Sequence, residues 1–373
     1  MHVKAGGTIF DATSAPLDQR SNAFTSLMQL GGGAYLAAFR TASGRDAPDG
    51  RLRIMKSDDG RTWSTAHPGL TATIDDVKGN IYSGYFTETE PGRLLGAFVW
   101  VDRSNPDLSF VHPETAGILH TRNLLAESTD HGAKWSGFRE VDLSPETGCT
   151  ITGPIFRVDG QTLALPYETW KSYEDTSPGK HTALLRLSHN GGATWPDRVV
   201  VASDPDAQVF YWDQRIAMHP ETRQLVVMFW THNRTLGADI ENHIAWADAT
   251  GRRWTVPRPT GWKGQHCQPL PLGRDRLAAI YVHRHHSASL RMVISEDFGM
   301  TWDSDNELTF YDHAALPAIE HDASKPFEEF WRDMMRWEFG HPRAVLNPDG
   351  DVLIAYYAGD QNSTSMVWSL IEL

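Results

Sequence analysis

An all-β chain built from a repeated unit is what this sequence predicts, and two in-phase repeats carry the prediction. Helical periodicity is nearly absent. Short apolar runs broken by Gly, Asp, Asn and Pro dominate, the pattern of many strands. The first repeat is a turn followed by an apolar strand: GGGAYLAAFR (31–40), PGRLLGAFVW (91–100), DGQTLALPYE (159–168), ETRQLVVMFW (221–230), GRDRLAAIYV (273–282) and PDGDVLIAYY (348–357). The copies lie about 50–75 residues apart, within reach of propeller repeats. The second repeat follows most of these: KSDDGRTW (56–63), STDHGAKW (128–135), SHNGGATW (188–195) and SEDFGMTW (295–302), with a worn copy ADATGRRW (247–254). Its physics is that of a hairpin turn. The Asp or Asn caps backbone N–H groups, Gly takes a positive φ, and Trp fixes the hairpin to the core. Asp58, Asp130, Asn190 and Asp297 are expected in these turns.

Composition sets the outer limits. The chain has 373 residues, 40% apolar and 22% charged, enough to bury a substantial core. The net charge of −13 argues against nucleic acid or an anionic membrane as partner, because both call for a basic face. No apolar run approaches the ~18 residues that would span a bilayer. Met1 to Phe10 lacks an apolar signal core, so the sequence as given is expected to be cytoplasmic, or secreted if a leader was trimmed. Cys149 and Cys267 begin strands of different repeats and are expected as free buried thiols. Abundant Gly, Pro and Trp suit a turn-rich protein with aromatic platforms for sugars. No cofactor is expected.

The octamers resemble the Asp-box, S-x-D-x-G-x-T-W, of the sialidase (neuraminidase) superfamily, and the resemblance runs from about Ala23 to Tyr357. It implies one domain over 1–373, a six-bladed β-propeller of four-stranded antiparallel blades, and an oligosaccharide or polysaccharide substrate. The strands VLIAYYA and SMVWSLIEL end the chain, so a strand near His2–Phe10 is expected to complete the last blade and close the ring. One helix is expected from Ser324 to Trp337, with Phe327, Phe330, Trp331 and Met334 on one face. It falls in a long insertion at about 303–340 and would pack on the rim or wall the site.

In such a fold the starts of the innermost strands and the ends of the second strands ring one mouth, and the Asp-box turns lie on the opposite, structural face. Strand starts bring Arg20, Tyr82, Trp212, Asp213, Arg215, Gln265, His266 and His341 to the mouth; strand ends bring Arg40, Arg45, Asp46, Asp49, Trp100, Glu168, Trp170, His232 and Arg284. Sialidases use an arginine triad, a tyrosine nucleophile with a glutamate partner, and an aspartic acid. Here Ala23 falls where the first arginine is expected, His341 takes the tyrosine slot, and Asp213 lies at or beside the glutamate. Asp46 or Asp49 resembles the acid, and the later triad positions fall near His232 and His285 or His286.

The expected activity is therefore a sialidase-like exo-glycosidase that cleaves a terminal, acidic sugar and is not an ordinary sialidase. His341, Asp213, His232 and Asp49 are the catalytic candidates. Arg215, Arg284, Arg20 and Arg40 are candidates for holding a carboxylate, and Tyr82, Trp212, Gln265, His266 and Trp170 for lining the sugar site. One alternative is a polysaccharide lyase acting on a uronic acid through His or Tyr; the other is a non-catalytic propeller that binds glycan or protein. In the run His283-Arg284-His285-His286, alternation along a strand lets at most two residues share a metal, and none is expected.

Overall fold

The chain folds as a succession of antiparallel meanders, each starting from an inner strand and working outward. This computed structural model describes residues 1–285, 287–313 and 337–373. The expected helix lies almost wholly outside the described residues, as does His286. One sheet runs through Val209–Met218, Leu225–Asn233, Glu241–Ala247 and Arg258–Lys263, and another through Gln265–Gly273, Arg276–His283, Ser289–Ser295 and Leu308–Asp312. A third contains Thr150–Ile151, Thr162–Thr169, Thr182–Ser188 and Asp197–Ser203. An eight-stranded sheet is two consecutive meanders, from Ser21–Gln29 to Ser64–Ile74 and from Val77–Glu90 to Arg139–Glu140, joined by the hairpin at Asp75 and Asp76. In the last sheet His2–Phe10 pairs with Thr364–Glu372, outside Val352–Gly359 and Phe339–Leu346. The first and last strands of the chain thus lie side by side, with Gly6 opposite Ser369.

The inner strands touch one another: Ser21–Gln29 meets Phe339–Leu346 and Val77–Glu90, and Gln265–Gly273 meets Val209–Met218 and Phe339–Leu346. Apolar cores fill the space between neighbouring meanders. Leu52 and Ile54 of one pack with Phe98 and Trp100 of the next. Trp100 is wholly buried and its Nε1 donates to Ala72 O at 2.9 Å, so it is a core residue and not a sugar platform. Cys149 and Cys267 are free and buried.

The octamer turns behave as their chemistry requires. In the second copy Ser128 Oγ accepts from Gly132 N at 2.9 Å, Asp130 Oδ1 accepts from Lys134 N at 2.8 Å, and Gly132 has φ +82°. The copies at Ser188/Asn190 and Ser295/Asp297 repeat both bonds. The first copy is one residue shorter between Asp and Gly, and its cap keeps the Ser-x-Asp spacing of the other copies. Asp59, not Asp58, accepts from Arg61 N at 2.8 Å and Thr62 N at 2.7 Å, while Asp58 points outward near Lys56. Trp135 then packs against Phe86 and Phe98, each 5.1 Å away between ring centres. In the sheet at 209–263, Leu225 pairs with Ala247 where the octamer begins, and His232 pairs with Phe210 at the other end. The turns are therefore remote from the residues that follow.

Asp130→Ala is expected to lower stability by about 1–2 kcal/mol in chemical denaturation, the usual cost of losing a side-chain cap. The Asp59 carboxyl is held down at about 2 by the backbone N–H groups of Thr62 and Arg61. Its contribution is present above the unfolded value of about 3.9 and is lost as the pH falls toward 2. Asp59→Asn should flatten the acid end of the stability profile.

Candidate active site

A recurring backbone irregularity builds the site. Inner strands bulge at corresponding places: between Ala23 and Ser26, Ile81 and Ser83, Trp212 and Arg215, Gln265 and Gln268, and Gly340 and Arg343. A bulge breaks the alternation of a strand and re-aims a side chain. In four of these bulges a non-glycine residue adopts positive φ: Phe24 (+58°), Asp213 (+51°), His266 (+36°) and His341 (+49°). Such a conformation costs on the order of 1–2 kcal/mol per residue and persists where the surroundings impose it. All four residues, with Tyr82 from the remaining bulge, line one cavity of about 190 Å3. Its walls include Arg45, Phe110, Thr152, Glu168, Trp212, Trp230 and Trp337.

Asp213, His266 and His341 form a chain across the cavity. Asp213 Oδ2 lies 2.8 Å from His266 Nε2, and its Oδ1 accepts from Arg215 Nη2 at 3.2 Å. The imidazoles of His266 and His341 are 3.9 Å apart between ring centres. Burial pushes the Asp213 carboxyl upward, but His266 and Arg215 outweigh it and hold it well below the usual range. Burial lowers His266 against the pull of Asp213. His341 is lowered further, by burial and then by His266, Arg45, Arg215 and Arg284. Near neutral pH the set is thus one carboxylate and two neutral imidazoles. With Nε2–H of His266 donating to Asp213, its Nδ1 carries a lone pair, and that atom is buried with no hydrogen-bond partner among the described residues. A carboxylate-backed imidazole with a free lone pair is a general base.

Around this chain lies an excess of positive charge. Arg215 bonds Thr152 O beneath Asp213, and Arg343 shares that carbonyl while also donating to Thr25 O at 3.3 Å. Arg284 lies over the rings of Trp337 and Phe339, bonded to Gln265 Oε1 at 3.0 Å and to Phe339 O. Burial lowers Arg284 and Arg343 to about 10, so both stay charged. Glu168 is held by Gln214 N at 2.6 Å and faces His181 Nε2 at 3.2 Å.

Of the named catalytic and sugar-binding candidates, the structure brings Tyr82, Trp212, Asp213, His266 and His341 into this cavity and leaves the others outside its lining. Arg215, Arg284 and Gln265 stand just behind it; Gln265 Nε2 donates to Asp239 Oδ2 at 2.7 Å. His232 pairs with the buried Asp239 at 3.0 Å and stacks on Trp212, so it supports the wall. Trp170 donates to Ala116 O at 2.7 Å and packs against Phe210, one layer back. Arg40 spends its guanidinium on the carbonyls of Gly44, Arg45 and Ala47. Asp49 accepts from Ser43 N at 3.1 Å, and Arg20 donates to Ala15 O at 3.0 Å beside a separate trough. For Arg40, Asp49 and Arg20 the reason is local, since each satisfies backbone groups of its own connection first. Arg45 and Glu168 were expected at the mouth and do line the cavity, whereas Phe24, Thr152, Trp230, Trp337 and Arg343 carried no expectation as site residues. Arg343 had a signal, since His341-Pro342-Arg343 echoes Asp213-Gln214-Arg215 in spacing.

The BNR repeat-like domain family matches residues 33–354. The chain belongs to the BNR repeat-like family. No curated protein matches the sequence. Among solved structures, this BNR repeat-like chain is similar to a protein of unknown function from Dyadobacter fermentans, at 19% identity and TM-score 0.73 over 100% of this chain and 99% of that one. It is also similar to the intramolecular trans-sialidase of Ruminococcus gnavus in complex with oseltamivir carboxylate, at 13% identity and TM-score 0.65 over 98% and 97% of the two chains. A third is the α-L-arabinanase of Penicillium chrysogenum complexed with arabinobiose, at 15% identity and TM-score 0.64 over 100% and 99%. These likenesses establish the propeller fold of the sialidases.

The buried imidazoles have a consequence for stability. Unfolded histidines take up protons near pH 6.5, while His266 and His341 resist protonation when folded. The unfolded state therefore binds more protons as the pH falls, and the two residues lose folding free energy below about 6.5. Chemical denaturation from pH 7 to 5 should show this loss, and His341→Gln should lessen it.

Proposed function

We propose that the protein is an exo-acting glycosidase that removes a terminal acidic sugar at the Asp213–His266–His341 cavity. The observation that carries this reading is a carboxyl group and two imidazoles held in contact inside a small aromatic-walled hollow. The meanders are proposed as six blades around one channel, with the strand at His2–Phe10 closing the ring. A hollow of about 190 Å3 suits one sugar ring and not the middle of a chain, which favours attack at a glycan end. Tyr82, Phe110, Trp212, Trp230 and Trp337 offer apolar faces to a sugar. Arg45, Arg215, Arg284 and Arg343 near the centre favour an anionic substrate on a protein whose net charge is −13.

In the proposed reaction a neutral imidazole of the His266–His341 pair takes a proton from water. The water oxygen bonds to the anomeric carbon as the glycosidic C–O bond breaks. Asp213, kept ionised, faces the positive charge that develops on the sugar. The leaving oxygen takes up a proton from solvent, and the imidazolium returns the proton it gained to solvent, so the balance is one water added across the glycosidic bond.

A second reading has a specific observation behind it. Two imidazoles held neutral also suit removal of a proton beside a uronate carboxylate, which is elimination. A screen of acidic oligosaccharides with product masses separates the two: hydrolysis adds one water to the products and elimination adds none. His341→Ala and Asp213→Asn should each lower turnover by 10²–10⁴-fold while keeping a normal thermal transition. If both variants keep turnover within about threefold, the site lies elsewhere. Ordinary sialosides should be poor substrates, because Ala23 is buried where an arginine was expected and His341 replaces the tyrosine. Efficient release of sialic acid from a fluorogenic sialoside contradicts this.

A further inference from the structure

We propose that Arg45 is the residue that selects an anionic sugar, receiving its carboxylate at the boundary between the cavity and an adjoining polar trough. This inference rests on the glycosidase reading and assigns its charge recognition to one side chain. Four guanidinium groups lie near the reacting centre, and three are already engaged in its framework. Arg215 is taken up by Asp213 and Thr152 O, Arg343 by Thr25 O and Thr152 O, and Arg284 by Gln265 and Phe339 O. These three are buried, with 2–7% of the residue exposed. Arg45 differs in each respect. It is half-buried, lines the cavity directly, and donates from Nη1 to Tyr357 Oη at 2.8 Å. It has no carboxylate partner among the described residues. A guanidinium carries five N–H donors in a planar fork that matches a carboxylate, and most of these remain unspent here.

Its position is built. The guanidinium is set among the rings of Phe24 (5.3 Å), Tyr357 (5.4 Å) and Trp337 (5.7 Å). Those rings limit water around it and strengthen its pull on an anion. The loop that carries it is tied down from several sides. Arg40 gathers the carbonyls of Gly44, Arg45 and Ala47; Asp49 accepts from Ser43 N; Asp46 binds Arg103 and accepts from Phe110 N at 2.6 Å. Gly50 lies so close to Arg40 that an added Cβ would meet its guanidinium at 2.4 Å. The acidic and basic residues of this loop thus brace one cation whose own charge is left open. Arg45 and Trp337 also line the neighbouring trough of about 460 Å3, together with Arg20, Asn22, Ser43 and Asn362. An anionic group bound by Arg45 would therefore lie where the cavity opens toward the rest of the glycan.

The test compares a panel of 4-nitrophenyl glycuronides with their methyl esters, in wild type, Arg45→Met and Arg45→Gln. The wild type should prefer the acid over its own ester by about ten- to hundredfold in kcat/KM, the worth of one charge-assisted contact. In Arg45→Met the ratio should fall to near one. Arg45→Gln gives the same reading if the methionine variant does not fold, and a normal thermal transition is required of whichever is used. A preserved acid preference in the variant, or equal use of acid and ester by the wild type, overturns the assignment to Arg45 and leaves the glycosidase reading intact. Cleavage of neither class by the wild type removes the glycosidase reading and this inference with it.

Discussion

The repeated bulge in the inner strands is the constraint from which the rest of the site follows. A regular strand sends alternate side chains to its two faces, and in this fold both faces of an inner strand are occupied by neighbouring meanders. A regular ladder would therefore spend its side chains on those neighbours. The irregularity at 23–26, 212–215, 265–268 and 340–343 turns one residue per strand out of the ladder and into the cavity. Positive φ at Asp213, His266 and His341 is a local cost borne by long ladders on either side, where pairing resumes at once. The result is a carboxylate and two imidazoles fixed in contact by separate sheets, a rigidity that loops alone rarely give.

Electrostatics then follows from burial. Asp213 sits among guanidinium groups and a partner imidazole, so it stays ionised although it is largely enclosed. Burial keeps protons off His341, and His266 and three guanidinium groups, among them the Arg215 that pairs with Asp213, add to it. Arg215 and His266 thus bear on both protonation states. The arginines beneath the cavity also tie sheets together, since Arg343 reaches Thr25 O and Thr152 O from a third sheet. Structural and chemical roles are shared by the same side chains.

Much of the fold was legible because its repeats are written in short-range chemistry. Ser, Asp and Gly at fixed spacing dictate a turn whatever surrounds them, as Ser128, Asp130 and Gly132 do. Asp58 was expected where the first octamer lacks one residue before Gly60; the cap instead keeps its place two residues after Ser57 and falls on Asp59. The pairing of His2–Phe10 with the last strand was legible too, since the final copy lacked an outer strand of its own. The site was half legible. Strand starts pointed to Asp213, His266 and His341, yet Arg40, Asp49 and Arg20 were expected at the sugar and serve their own loops instead. Their fate depends on which backbone carbonyls and amides lie nearby, and a sequence pattern does not carry that. Arg45 stands in the loop that Arg40 braces from the preceding strand, and only packing tells the bracing residue from the presented one.

The measurement that bears most directly on the central claim is the 15N resonance pattern of the histidine side chains at pH 7, assigned by comparison with His266→Gln and His341→Gln. The account predicts two neutral imidazoles in the cavity, with His266 protonated on Nε2 and bare on Nδ1. A charged imidazolium at either position near neutral pH, or a proton on Nδ1 of His266, would contradict the general base on which the proposed chemistry depends.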